Sequence, residues 1–151
     1  MKVSSLIRRS VTSCTIDDNL ERAAQLMWNH DIGCLPVIDH EGHIAGVVTD
    51  RDACMAAYTQ GIPLRAIPVT TAMARRVFSC REGDEVEAVE TAMREHQIRR
   101  MPVIDDQGHP VGIISLNDIA RASSTGKVSA PEVVATLAAV TAPRPLLTAT
   151  A

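Results

Sequence analysis

Two hydrophobic rhythms alternate along the chain. Leu20, Ala23, Ala24 and Met27 stand at i, i+3, i+4 and i+7, the spacing of one helix face. Asp18-x-x-Glu21 just before them reads as a helix start, with the aspartate capping and the glutamate in the first turn. A short extended run, Val11 to Cys14, precedes this helix. Behind it come Leu35-Pro36-Val37-Ile38, the polar turn Asp39-His40-Glu41-Gly42, and Ile44 to Val48, predicting strand, hairpin, strand. Pro36 suits a strand's first position, where the missing N–H is tolerated. The apolar run then breaks at Thr49-Asp50-Arg51-Asp52, which predicts a second helix with Thr49 as cap and Asp52 in its first turn. Gly61-Ile62-Pro63 ends that helix.

The whole pattern then recurs. Shifting the sequence by 66 positions lays Pro36-Val37-Ile38-Asp39 on Pro102-Val103-Ile104-Asp105 without a gap, and Val3 on Val69, Cys14 on Cys80, His30 on His96 and Asp52 on Asp118. The second copy repeats the strand Val77 to Cys80, the helix start Asp84-x-x-Glu87, the hairpin strands Met101 to Ile104 and Val111 to Ile114, and a final helix from Ser115. One apolar position is lost, because Glu90 stands where the first copy has Ala24. The repeat divides the chain into a first unit at 1–60, a linker at 61–68, a second unit at 69–122 and a tail at 123–151. In the tail, Ser129-Ala130-Pro131-Glu132 is a capping pattern that predicts a short helix at 130–140 with Val133, Val134, Leu137 and Val140 along it. Ala142-Pro143-Arg144-Pro145 stops it, and a disordered end is expected beyond about 143. A unit of about 55 residues buries its core only marginally, so the two should pack face to face about a pseudo-twofold axis, in an α+β arrangement of two β-α-β-β-α units.

Composition narrows the function. Of 151 residues, 46% are apolar and 22% charged with net charge −3, an ordinary globular balance. A mildly acidic chain with one Trp, one Tyr and one Phe lacks the basic surface and stacking rings of nucleic-acid binders. No run approaches the roughly 20 apolar residues of a membrane span, and MKVSSLIRRS has no apolar segment behind its charges, so a cytoplasmic protein is expected. The four cysteines show no C-x-x-C spacing, which favours reduced thiols. Cys14 with Cys80, His30 with His96 and His43 with His109 are repeat-related, so a metal or thiol sensor on the axis is one alternative; small buried strand cysteines and surface histidines are the simpler one. No nucleophile set, nucleophile elbow or glycine-rich phosphate loop is present, and the chain is not expected to be an enzyme.

A helix start with free N–H groups is an anion site, and a hydroxyl and a carboxylate beside it suit a phosphate and a ribose diol. The doubled pattern of an apolar residue, Pro-Val, an aspartate, two glycines and then T-x-x-D or S-x-x-D resembles the CBS domain, named after cystathionine β-synthase, occurring as a tandem pair or Bateman module. The resemblance covers residues 1 to 122, and in particular is to small stand-alone bacterial CBS pairs, some associated with stress or hypoxic response. It implies that an adenosine-containing ligand, AMP, ADP or ATP above all, with NAD(H) or S-adenosylmethionine as further options, binds between the units as a regulatory ligand. The implied ribose acids are Asp52 and Asp118, the phosphate hydroxyls Thr49 and Ser115, and the first-strand hydroxyls Ser13 and Ser79. The implied purine borders are the runs Ile32-Gly33-Cys34-Leu35 and Ile98-Arg99-Arg100-Met101 just before the Pro-Val pairs, with Pro36 and Pro102 counted among the ligand-binding residues. The resemblance also implies a homodimer, commonly a flat disc of four units, and a regulated protein partner.

The copies differ at these positions. Arg99-Arg100 replaces Gly33-Cys34, which brings positive charge to a phosphate-bearing ligand or forms a solvated surface pair. Arg51 in the first T-x-x-D has Asn117 as its counterpart. Both sites keep a hydroxyl and an acid, so both stand as ligand sites, with the one containing Asp118 slightly favoured. A structural or protein-interaction module, in which T-x-x-D and S-x-x-D merely cap helices, is the alternative to ligand sensing.

Overall fold

The computed structural model describes residues 1–7 and 9–144. The first unit contains β1 (Cys14–Thr15), α1 (Leu20–His30), β2 (Cys34–Ile38), β3 (Ile44–Thr49) and α2 (Asp50–Gln60). A four-residue turn of helix, α3 (Val69–Ala72), leads to the second unit: β4 (Cys80–Arg81), α4 (Val86–His96), β5 (Arg100–Ile104), β6 (Pro110–Ser115) and α5 (Leu116–Ser124). In each, a short first strand runs parallel to the next, which pairs antiparallel with the third, giving three-stranded sheets in the orders β1-β2-β3 and β4-β5-β6. The parallel pair needs the crossover helix; the antiparallel pair needs only the hairpin, where Gly42 and Gly108 adopt φ of 85° and 88°.

The first strands are shorter and later than the pattern predicts, starting at Cys14 and Cys80 where their pairing with Val37 and Val103 begins. The capping roles also shift. Asn19, not Asp18, caps α1 by accepting the Arg22 N–H at 2.9 Å. Asp18 closes the preceding turn instead, accepting the Thr15 N–H at 2.7 Å, and Asp84 does the same for Arg81 at 2.8 Å. The carboxylate sits one residue too early to reach the first turn of the helix, so α4 has no side-chain cap at all. Glu21 and Glu87 do lie in the first turns, beside the positive end of the helix dipole.

The sheets meet across the pseudo-twofold axis through their hairpins, where the His43 and His109 rings stack at 5.0 Å and 6°. The units also trade their opening segments. Val3 is fully buried in the second core, whereas Ile67, Val69 and Met73, which follow the first repeat, complete the first core. Two hydrogen bonds recur in both exchanges, 66 residues apart. The Val3 N–H donates to the Asp84 carbonyl and the Val86 N–H to the Met1 carbonyl, at 2.9 and 2.8 Å. The Val69 N–H donates to the Asp18 carbonyl and the Leu20 N–H to the Ile67 carbonyl, both at 2.9 Å. Segment 61–68, a linker by the repeat pattern, thus delivers a core residue.

The tail forms α6 (Ala130–Thr141), starting at the predicted position but without the predicted side-chain cap from Ser129. It lies across α4 and α5, and explains the break in the second unit's apolar pattern. Glu90 is only 1% exposed, and its carboxylate accepts a 3.2 Å hydrogen bond from the hydroxyl of Thr136, itself fully buried. Arg94 donates to the same hydroxyl at 2.9 Å and pairs with Glu132 at 3.5 Å, while Gln97 donates to the Ala139 and Ala142 carbonyls. The expected disordered end falls mainly on 145–151, outside the described residues.

Candidate functional site

Both helix starts named by the sequence form complete capping boxes. The Thr49 hydroxyl accepts the Asp52 N–H at 3.2 Å while the Asp52 carboxylate accepts the Thr49 N–H at 2.9 Å. Ser115 and Asp118 repeat this at 3.2 and 2.9 Å. Hydroxyl and acid are thereby held rigidly at the ends of β3 and β6, where the strands stop and the helices turn outward.

Around the second of these boxes lies a cleft of about 700 Å³, and both units line it. The second unit contributes Arg100 from β5, Ile113 and Ser115 from β6, and Asn117, Asp118 and Arg121 from α5. The first contributes Ser10, Val11 and Thr12 ahead of β1 and the run His30 to Cys34 after α1. Of the residues singled out from the sequence, Ile32, Gly33, Arg100, Ser115, Asn117 and Asp118 meet here. Ser13, Pro36, Thr49, Arg51, Asp52, Ser79, Ile98, Arg99, Met101 and Pro102 are not on its wall. Pro36, Met101 and Pro102 are buried in the sheets, and Arg51, Ser79 and Arg99 are exposed.

Pattern reading overlooked Thr12, His30, Asp31 and Arg121, which also line the cleft. Arg121 had a legible signal, since it stands three residues after Asp118 on the same helix face and its guanidinium bonds the Asp118 carboxylate. Arg100 and Arg121 bring positive charge and His30 an imidazole, while Asp118 and Asp31 supply acids. Gly33 lies close beside two charged side chains: a Cβ there would stand 2.7 Å from an Asp50 carboxylate oxygen and 3.4 Å from an Arg100 nitrogen.

The repeat-related location is built differently. Phe78 stands where the cleft has Thr12, and stacks on His96, the counterpart of His30, with ring centroids 3.6 Å apart. Arg76 lies 5.0 Å over the same ring, a cation–π contact. An aromatic ring thus takes the place of a small hydroxyl, and the pseudo-symmetry is broken at the cleft wall.

Cys14 and Cys80 are buried, each with its sulfur 3.9 Å from a proline carbonyl of the neighbouring strand. Burial pushes their thiols up to about 11 and about 12, and that of Cys34 to about 11. Such thiols are protonated at neutral pH and poor nucleophiles. Among the described residues, Asp39, Glu41 and His43 form the one group of three possible metal ligands. Asp39 already serves its hairpin, accepting the Glu41 and His43 N–H groups at 2.9 Å each.

Comparison with known proteins agrees with this architecture. The chain is 32% identical over 118 residues to the CBS domain-containing protein YhcV of Bacillus subtilis, a match covering 78% of this chain and 82% of that one. It is 30% identical over 116 residues to hypoxic response protein 1 of Mycobacterium tuberculosis, covering 77% and 80% respectively. A crystal structure of Hypoxic Response Protein I, which holds two coordinated zinc ions, superposes with a TM-score of 0.72 at 29% identity, covering 80% of this chain and 98% of that one. The CBS domain pair of protein MJ0100, in complex with 5′-methylthioadenosine and S-adenosyl-L-methionine, superposes with a TM-score of 0.76 at 26% identity, covering 84% of this chain and 98% of that one. The profile of the CBS domain matches twice, at residues 3–58 and 65–125, so the chain belongs to the CBS domain family and is a tandem pair, a Bateman module.

Proposed function

We propose that the chain is a non-enzymatic regulatory module that binds an adenosine-containing ligand in the cleft beside Asp118. The observation that carries this reading is the composition of that cleft, whose wall is drawn from both units and brings the Asp118 carboxylate, the Ser115 hydroxyl, two arginines and a histidine together. The Asp118 carboxylate suits a ribose diol, and Ser115 with Arg100, Arg121 and His30 suits a phosphate chain. AMP, ADP and ATP fit this charge pattern best, ahead of NAD(H) and S-adenosylmethionine. The MJ0100 pair, with its methylthioadenosine and S-adenosylmethionine, supports the adenosine part. A ligand touching both units biases their relative position, and a protein partner reads that change.

Calorimetric titration with AMP, ADP, ATP, NADH and S-adenosylmethionine tests the proposal. Losing a charge-assisted hydrogen bond of roughly 1.5–3 kcal/mol should weaken binding about 10- to 100-fold in Asp118→Ala. Asp52→Ala removes an equivalent cap away from the cleft and should leave affinity nearly unchanged. Failure of all five ligands to bind ends the sensing reading. The completeness of both capping boxes favours a second one, a purely structural or interaction module. It expects both alanine variants to lower the melting temperature equally, with no nucleotide-dependent shift in the parent protein.

A further inference from the structure

Both oxygens of the Asp118 carboxylate are engaged, and by different partners. Oδ2 accepts the Ser115 N–H at 2.9 Å and the Ser115 hydroxyl, completing the capping box. Oδ1 accepts from the guanidinium of Arg121, three residues on along α5. An ionised carboxylate offers about four acceptor sites, and these contacts take three of them. A ribose diol brings two hydroxyls, so Arg121 holds a place that the sugar needs. The pair is also free to part. The Arg121 side chain is 69% exposed against 24% for Asp118, so the guanidinium can swing into the cleft while the cap keeps the carboxylate where it is. The first unit has no equivalent. Asp52 is capped in the same way, by the Thr49 N–H at 2.9 Å and hydroxyl at 2.8 Å, but the residue matching Arg121 is the uncharged Met55.

We infer that Arg121 is the specificity-determining residue of the cleft, exchanging Asp118 for a phosphate on the 5′ carbon of the ligand. This rests on the reading of the cleft as an adenosine site. When the ribose takes Oδ1, the displaced guanidinium loses its anion. A nucleotide supplies a new one, and phosphate suits the planar fork of an arginine at least as well as a carboxylate does. Adenosine has the same base and sugar but offers nothing in return, and a ligand with a cation at that carbon meets Arg100 and the freed Arg121 as like charges. Discrimination then comes from the cost set against the wrong ligand as well as from the contact made with the right one. The ligand class narrows to adenosine 5′-phosphates.

Titrating the full chain with AMP and with adenosine, which differ only by the phosphate, tests the exchange. Arg121→Met places the first unit's residue at an exposed position. It should weaken AMP about 10- to 100-fold, the loss of a charge-assisted contact, and tighten adenosine about 2- to 5-fold, the release of an exposed ion pair. Arg121→Lys should recover part of the AMP affinity. Opposite signs are the signature, because a substitution that merely damages the cleft weakens both ligands together. Adenosine affinity that stays level or falls in Arg121→Met overturns the inference, and so does AMP affinity that does not change. Asp118→Ala separates the two levels of the argument, since it should weaken both ligands whatever Arg121 does. If it does so while Arg121→Met shifts both ligands alike, the adenosine site stands and the role of Arg121 falls. If neither ligand binds the parent protein, the adenosine reading falls and the inference with it.

Discussion

Replacing Thr136 by valine keeps the shape of a fully buried side chain and deletes one hydroxyl. That hydroxyl donates to Glu90 at 3.2 Å and accepts from Arg94 at 2.9 Å, so its loss leaves a buried carboxylate without its partner in α6 and a guanidinium short of one acceptor. A buried polar group left unsatisfied costs about 1–3 kcal/mol. For a chain of this length each kcal/mol moves the melting temperature by about 2–4 °C, so the variant should melt roughly 2–12 °C lower. Glu90→Gln separates hydrogen bonding from charge. Burial holds the Glu90 carboxyl above its ordinary range, against the opposing pull of the Thr136 hydrogen bond and Arg94. The folded chain therefore binds this proton more tightly than the unfolded chain does. Its contribution to stability is full below the unfolded carboxyl's value and is lost as pH rises through the raised one. Glutamine carries no such proton, so Glu90→Gln should match the parent protein near pH 4 and gain on it by pH 8. Urea unfolding of both proteins across that range measures the difference. A flat difference, or a Thr136→Val variant as stable as the parent, would refute the seating of α6 on Glu90.

Two further outcomes follow from the packing. Ile67→Ala, outside the segments that define either unit by pattern, should cost about 2–5 kcal/mol because the side chain is fully buried in the first core; denaturant unfolding checks it. Under native conditions at pH 7.5 a thiol reagent should modify Cys54 readily and Cys14, Cys34 and Cys80 slowly, with all four reacting in urea; mass spectrometry of the labelled protein counts the sites.

The repeat made the strands, hairpins and both capping boxes legible, because each depends on residues within a few positions of one another. The errors came where that locality fails by a single residue or by many. Asp18 and Asp84 are good caps by type, but their backbone position hands them to the preceding turn. Glu90 looked like a blemish on a helix face because its partner, Thr136, lies 46 residues away. The half of the cleft contributed by Thr12, His30 and Asp31 depends on how one unit sits against the other, which no periodicity encodes. Arg121 is different, for its i+3 spacing from Asp118 was in plain view.

The exchanged opening segments bear on how such a chain could arise. A fragment ending near residue 60 would carry Val3 with no seat of its own and lack Ile67, Val69 and Met73. A single-unit ancestor could satisfy these contacts only by lending its first residues to another molecule and borrowing that molecule's in return. Two units that each need the other's segment are joined here in one chain, which turns what would be an encounter between molecules into a property of one.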